Sequence, residues 1–274
     1  MTIDKNKIFF ILMSIYPVSI ILGPAISLFN TLLIILIYLL FSFKKKHFEF
    51  LQKNNTIKAF FAIYIYLIIN TLISLNHEIG LSRNLGFIRL IFLFIAINYF
   101  FHINKNNSKI FYIWYTIFIF FIIDVYIERF TGTNIFGWGP EEVNGVSEPY
   151  GLRVMSFFKD EPIAGAYLYG FFFLISGNLL LLFKDIKKAK YLYLLLILFF
   201  LLSVIATGER SSTIKVMFGI ILFILLINII TPKTKILIFT ILFGTIILTI
   251  FNSSYLKNRY IGQFYYYLSG LCPL

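Results

Sequence analysis

The chain has 274 residues, of which 59% are hydrophobic and 20% aromatic, and its mean hydropathy is +0.88. This composition excludes an ordinary soluble domain, in which about half of the residues are apolar and about a quarter are charged. The formal net charge is +12, but the charges lie in short connections between apolar runs, which argues against a surface that binds nucleic acid.

Apolar runs recur along the whole sequence, and a run of about 18 to 20 residues crosses a bilayer core as a helix. Strands of a membrane barrel would show short alternating patterns instead. We therefore predict an all-α polytopic bundle that forms a single membrane domain, 1–274, with about nine spans. These spans are expected at 7–22, 25–43, 57–75, 85–101, 110–127, 162–183, 190–207, 212–230 and 235–251. The Gly23-Pro24 pair separates the first two spans, and a single long kinked helix is the alternative there.

Lysines and arginines are distributed differently along the predicted topology. With the amino terminus in the cytoplasm, the inside connections contain lysines and no arginine, as the positive-inside rule permits. The arginines lie in outside segments or in the outer part of a span: Arg83, Arg89, Arg129, Arg153, Arg210 and Arg259. A guanidinium group binds carboxylate or phosphate oxygens through two parallel hydrogen bonds. The arginines therefore indicate an anionic outside ligand such as a phosphate or pyrophosphate. The alternative is that they lie on the outside by chance or because they pair with glutamates on the same side.

The fourth predicted span contains an arginine within the stretch SRNLGFIRLIFLF. A charge at the depth of Arg89 costs a few kcal/mol unless it faces a partner or a water-filled cavity, and snorkelling to the outer headgroups is the alternative. Near the outer end of the fifth span, Asp124 is a candidate proton site, with pairing to Arg129 as an equally good interpretation.

The long outside segment, 128–161, is the only connection large enough to form a structured cap. Asp160, Glu161 and Pro162 at its end are typical of a helix start, and capping alone would account for the two acidic residues. Capping does not account for Arg153, whose alternative role is that of a solvated loop residue. Aromatic rings in this segment are expected at the membrane interface or on a sugar-stacking surface: Phe136, Trp138 and Tyr150.

The stretch ATGERSST compresses the turn between the seventh and eighth predicted spans into a few residues. Glu209 and Arg210 lie at its tip, and the hydroxyl residues 211–213 are available to cap the eighth helix. The backbone amides at that helix start, together with Arg210, predict an anion site. An ordinary Glu-Arg pair in a turn is the alternative.

Several other kinds of site are excluded or disfavoured. The three histidines, His47, His77 and His102, are too dispersed for a metal site, and Cys272 is the only cysteine. The sequence contains neither a phosphate-binding loop of the Walker type nor a GxGxxG motif. We therefore expect no metal and no cofactor.

Three stretches together resemble the bacterial O-antigen ligase and polymerase superfamily, whose members are multispanning enzymes of surface-polysaccharide assembly. The stretches are IERFTGTNIFG, GLRVMSFFKDEPIAGAYL and TGERSS, and the resemblance covers roughly residues 80–251. It implies a metal-independent polymerase-type glycosyltransferase in the bacterial inner membrane, which takes a glycan from a polyprenyl pyrophosphate carrier on the periplasmic face. The acceptor is another lipid-linked repeat unit or, for a ligase, a lipid A core sugar.

In this family two arginines are thought to hold the pyrophosphate, and they correspond here to Arg153 and Arg210. We expect five further residues to bind substrate: Arg89, Lys159, Glu161, Glu209 and Arg259. The expected partners are the glycan carrier, the bilayer and other polysaccharide-assembly membrane proteins. A transporter or flippase for a lipid-linked sugar is the alternative from another class, but it would place ionisable residues near mid-membrane, whereas these lie at the outer ends of spans.

The sequence departs from the family after the last predicted span. Members continue with a second periplasmic segment whose histidine activates the acceptor hydroxyl, whereas residues 252–274 contain no histidine and carry Arg259 where that segment should begin. Asp160, Glu161 and Glu209 are not assured substitutes for that base. The sequence therefore predicts a truncated member, which binds the donor without turning it over if no other base replaces the histidine.

Overall fold

The computed structural model describes residues 5–42, 51, 54–75, 77–103, 108–139, 153–159, 161–183, 189–226 and 232–262. Every secondary-structure element within these ranges is helical, which confirms the predicted all-α class. The helices cluster in two compact units, Met1–Trp114 and Tyr115–Leu274. A single membrane domain over the whole chain stays a prediction.

The first unit begins with a pair of helices that meets at the predicted break. The elements up to the boundary are α1 (Lys5–Ile21), α2 (Pro24–Ser42), α3 (Asn55–Ile73), α4 (His77–Gly86), α5 (Ile88–Ile103) and α6 (Ser108–Thr131), which crosses into the second unit. Gly23 lies between α1 and α2 with φ +120, a backbone conformation that glycine adopts at no steric cost. The first apolar block is therefore two helices rather than one kinked helix.

The second unit continues with a 3₁₀ turn (Ser156–Phe158), α7 (Ala164–Phe183), α8 (Ala189–Ala206), α9 (Arg210–Leu226), α10 (Pro232–Asn252), α11 (Ser254–Lys257) and a π-helical turn (Asn258–Gly262). Helix α7 packs against both α8 and α9. Helices α7 and α9 approach closely, because a Cβ atom added to Gly219 of α9 would overlap the ring of Phe173 of α7. This packing places the start of α7 next to the turn that joins α8 to α9.

Five helical segments among the described residues are long and apolar enough to cross a bilayer: Asn55–Ile73, His77–Phe101, Lys109–Thr131, Ala164–Leu182 and Lys235–Asn252. Three shorter apolar helices accompany them: Asn6–Ile21, Pro24–Leu40 and Leu195–Ala206. By length and composition these helices indicate a multi-pass membrane protein. The predicted total of nine spans stays a prediction.

A proline inside α1 is compensated by a tryptophan from α6. Pro17 has no N–H group, so the carbonyl of Met13, four residues earlier, loses its usual helical donor. The indole Nε1 of Trp114 donates to that carbonyl at 2.9 Å, and both side chains are fully buried. Because backbone polar groups inside a membrane protein have no water to bind, this hydrogen bond satisfies a carbonyl that would otherwise remain unpaired.

Replacing Trp114 by phenylalanine is expected to lower the free energy of unfolding by about 2 kcal/mol, because the buried Met13 carbonyl loses its donor. Pro17→Ala restores a backbone N–H beside that carbonyl, so the same tryptophan substitution should cost less in the Pro17→Ala background. Equilibrium unfolding in mixed micelles measures both costs. Equal costs in the two backgrounds would contradict this assignment.

Candidate functional site

The turn between α8 and α9 is the centre of a polar cluster in the second unit. Gly208 has φ +76, and a Cβ atom at this position would overlap the hydroxyl oxygen of Tyr255, so both the backbone conformation and this close contact favour glycine. The carbonyl of Thr207 accepts a hydrogen bond from the amide of Val154 at 3.1 Å. The carbonyl of Gly208 accepts one from Nε of Arg259 at 3.4 Å. Two distant segments therefore meet at this turn.

Glu209 connects the starts of two helices. Its Oε1 atom accepts a hydrogen bond from the amide of Gly165 at 2.7 Å, and its Oε2 atom accepts one from Oγ of Ser212 at 2.8 Å. Its carbonyl accepts the amide of Thr213 at 3.0 Å, which makes Glu209 the residue that caps α9. Burial raises the pKa of Glu209, and the hydrogen bonds from Ser212 and Gly165 and the charge of Arg153 oppose that shift.

The helix starts therefore differ from the local prediction. Glu161 is exposed and α7 begins only at Ala164, so the carboxylate that receives an amide at the start of α7 belongs to Glu209, 44 residues away. Capping of α7 by Glu161 stays a prediction, and Asp160 lies outside the described residues. The hydroxyl of Ser212, expected to cap α9, donates to Glu209 instead.

Two arginines, Arg153 and Arg210, lie within electrostatic reach of Arg259 at this turn. Arg259 is 8% exposed, and its pKa is lowered first by burial and then by the positive charges of Arg153 and Arg210. Arg153 also interacts with Glu209, and Arg210 is the first residue of α9. The structure thus brings together four of the residues that the sequence singles out: Arg153, Glu209, Arg210 and Arg259. Because like charges repel one another, a bound anion would stabilise this arrangement.

A fourth arginine joins them from the last turn of α6. The Cζ atom of Arg129 lies 3.6 Å from the ring centroid of Tyr255, a close cation–π contact. Burial raises the pKa of Tyr255, and the charges of Arg129, Arg259 and Arg153 oppose that shift. We refer to these residues as the arginine cluster: Arg129, Arg153, Arg210 and Arg259.

A second tyrosine attaches the segment after α10 to α9. The hydroxyl of Tyr260 lies 2.7 Å from Oγ1 of Thr213, and burial raises the pKa of Tyr260 to about 12. Sequence reasoning missed Tyr255 and Tyr260, and it named Arg129 among the outside arginines and as a partner of Asp124 but not among the substrate-binding residues. The spacing of Tyr255 and Arg259, four residues apart, is a signal that both belong to one face of a helical turn.

Asp124 has other contacts than those considered from the sequence. Its Oδ1 atom accepts a hydrogen bond from the amide of Ile135 at 2.9 Å, and its Oδ2 atom accepts one from Oγ of Ser156 at 2.6 Å.

The exposed rings of Phe136 and Trp138 pack against each other with centroids 5.3 Å apart, while Tyr150 lies outside the described residues.

The remaining predicted residues lie on exposed surfaces. Lys159 and Glu161 follow Arg153 on the same connection with exposed side chains. Arg89 is exposed in the first turn of α5 and belongs to the first unit. Substrate binding by these three residues stays a prediction.

Comparison of the chain with protein-family models, with characterised proteins and with solved structures finds no match.

Proposed function

We propose that the arginine cluster holds the pyrophosphate of a polyprenyl-linked glycan. On this proposal the chain is a polymerase-type glycosyltransferase that moves the glycan to an acceptor sugar on the periplasmic face of the bacterial inner membrane. The observation that carries the proposal is the position of arginines from four separate segments around the turn Thr207–Glu209. Arg259 donates to the turn, the charges of Arg153 and Arg210 act on Arg259, and Arg129 lies against Tyr255.

The chemistry of the ligand follows from the groups that meet there. Guanidinium groups form paired hydrogen bonds with phosphate oxygens, and a diphosphate offers enough oxygens for several arginines at once. Arg259 is buried, and the positive charges of Arg153 and Arg210 lower its pKa, a repulsion that a bound polyanion would reduce. A neutral sugar alone would leave that repulsion in place.

The same groups support the transfer step. An acceptor hydroxyl forms the new bond to the anomeric carbon and gives its proton to water, while the bond from that carbon to the pyrophosphate oxygen breaks and its electron pair leaves with the pyrophosphate. Negative charge then develops on the departing pyrophosphate, and preorganised guanidinium groups stabilise it. Both carboxylate oxygens of Glu209 already accept hydrogen bonds from Gly165 and Ser212, which favours a positioning role over proton acceptance.

The location of the cluster supports a lipid-borne donor. Arg129 lies in the last turn of the candidate span Lys109–Thr131, and Gly165 lies in the first turn of Ala164–Leu182. A site at the ends of membrane helices is at the depth where the phosphates of a lipid carrier lie. A soluble nucleotide-sugar would have no need of this location.

Reconstitution in liposomes tests the proposal. Purified protein supplied with a polyprenyl pyrophosphate-linked repeat unit is expected to release polyprenyl pyrophosphate and to form a longer glycan. In a second arm, lipid A core is offered as acceptor, and product in that arm alone would identify a ligase. Movement of a fluorescent donor between leaflets without glycan transfer would identify a transporter. Failure of the donor to bind at all would overturn the pyrophosphate assignment.

A further inference from the structure

Two carboxylates on α6 are buried without belonging to the arginine cluster. Asp124 is 0% exposed and Glu128 is 4% exposed, and they lie one helical turn apart within the candidate span Lys109–Thr131. The two oxygens of Glu128 accept the amides of Met155, at 2.8 Å, and of Ser156, at 2.5 Å. Asp124 accepts the Ser156 hydroxyl and the Ile135 amide. Both ends of the connection between α6 and α7 are therefore bound to the side of α6.

These contacts lie well below the end of the helix. Asp124 precedes Thr131, the last residue of α6, by seven residues, which corresponds to about 10 Å along the helix axis. The ring of Phe157 stacks on that of Phe120, one turn deeper, with centroids 5.7 Å apart. The described ends of the connection thus fold back along the last turns of a membrane-spanning helix. Irregular backbone at such depth requires protein groups to satisfy its amides, and the two carboxylates do so.

The same contacts fix the backbone next to Arg153. The side-chain amide of Asn134 donates to the carbonyl of Ser156 at 3.0 Å and joins the two ends of the connection. Ser156 has φ +52, an uncommon conformation for a residue other than glycine, and it is held there by these hydrogen bonds. Val154, between Arg153 and this anchored residue, donates to the turn at Thr207. Arg153 therefore lies directly before a segment, residues 154–156, that is held both by α6 and by the turn at Thr207.

We propose that Asp124 and Glu128 are positioning residues for Arg153, which hold the folded-back connection so that this guanidinium group points into the anion site. The identity of the ligand in this proposal rests on the proposed function, whereas the contacts that hold the connection against α6 are independent of it. A carboxylate is suited to the task because each oxygen accepts charge-assisted hydrogen bonds from backbone amides. The isosteric amides, in Asp124→Asn and Glu128→Gln, keep the shape but lose one acceptor each.

The test combines binding with a double-mutant cycle. The probe is inorganic pyrophosphate, titrated into the purified protein in nanodiscs. Glu128→Gln is expected to weaken pyrophosphate binding about tenfold. In an Arg153→Ala background the same change should have no further effect, because the carboxylate acts through that arginine. Glu78→Gln, an exposed glutamate of α4, is the matched control and should bind as the wild type does.

A spectroscopic measurement tests the geometry without any ligand. A nitroxide attached at Lys159→Cys, in a Cys272→Ser background, reports the mobility of the anchored segment. Its spectrum should show a more mobile label in Glu128→Gln and an unchanged label in Glu78→Gln. If Glu128→Gln yields no folded protein, Ser156→Ala replaces it in both the binding and the label-mobility experiments. This variant removes only the hydrogen bond from the Ser156 hydroxyl to Asp124.

The outcomes separate the two proposals. An unchanged label mobility in Glu128→Gln would overturn the positioning role. A tenfold loss of binding that persists in the Arg153→Ala background would also overturn it, because the effect would not pass through Arg153. If the wild type binds no pyrophosphate but the label becomes mobile in Glu128→Gln, the proposed function fails and the anchoring of the segment is supported.

Discussion

Arg153→Lys and Arg210→Lys are each expected to reduce polymer formation at least about 100-fold, to the point where no polysaccharide ladder is seen, while the protein remains in the membrane at wild-type level. Lysine keeps the positive charge but loses the planar fork that binds two phosphate oxygens at once. The charges of both arginines lower the pKa of buried Arg259, and the proposed function assigns the leaving pyrophosphate to these arginines. Gel analysis of the polysaccharide, with immunoblotting of membranes, measures the two quantities together.

Two further arginines provide internal comparisons for this experiment. Arg83→Lys changes an exposed arginine of the first unit and should leave the ladder intact. Arg129→Lys should have a smaller effect than Arg153→Lys, because lysine also makes a cation–π contact with the ring of Tyr255. A wild-type ladder in Arg153→Lys or in Arg210→Lys would refute the assignment of pyrophosphate to the arginine cluster.

The helical fold could be predicted from apolar run length alone, because each long apolar run needs a bilayer or a core. The helix boundary at Gly23-Pro24 could also be predicted from the sequence, since proline cannot continue a helix and glycine permits φ +120. Helix α4 was not predicted, because its sequence HEIGLSRNLG has no apolar run. Its position depends on a tertiary contact instead: Gly80 lies against Thr71 of α3, and Asn84 donates to the Thr71 hydroxyl.

The candidate site was predictable where a single residue type carried the signal. Arg153, Arg210 and Arg259 were identified because arginines are confined to segments expected outside, and the structure brings these three together. Their supporting contacts were not predictable, because they join residues far apart in sequence. The carboxylate of Glu209 reaches Gly165, and Tyr255 reaches Arg129 only after the chain folds back beyond α10. No local pattern encodes contacts of that range.

Glu209→Ala is expected to lower the free energy of unfolding by about 3 kcal/mol, because it leaves the amide of Gly165 and the hydroxyl of Ser212 without their acceptor and removes a negative charge beside Arg153. Glu209→Gln should cost less. Its carbonyl oxygen can still accept the Gly165 amide, and its amide group can donate to Ser212. Thermal unfolding in detergent, followed by tryptophan fluorescence, measures both losses.

The same pair of variants separates positioning from substrate binding at Glu209. A negative charge close to Arg153 opposes an incoming anion, so Glu209→Gln should bind inorganic pyrophosphate more tightly than the wild type. Added pyrophosphate should therefore raise its unfolding temperature by a larger increment, since a ligand at concentration c stabilises the folded state by RT ln(1 + c/Kd), which grows as Kd falls. A direct contact between Glu209 and the sugar would produce weaker binding of the glycan donor in Glu209→Gln with unchanged pyrophosphate affinity. That result would establish Glu209 as a substrate ligand and contradict its role as a support for the two helix starts.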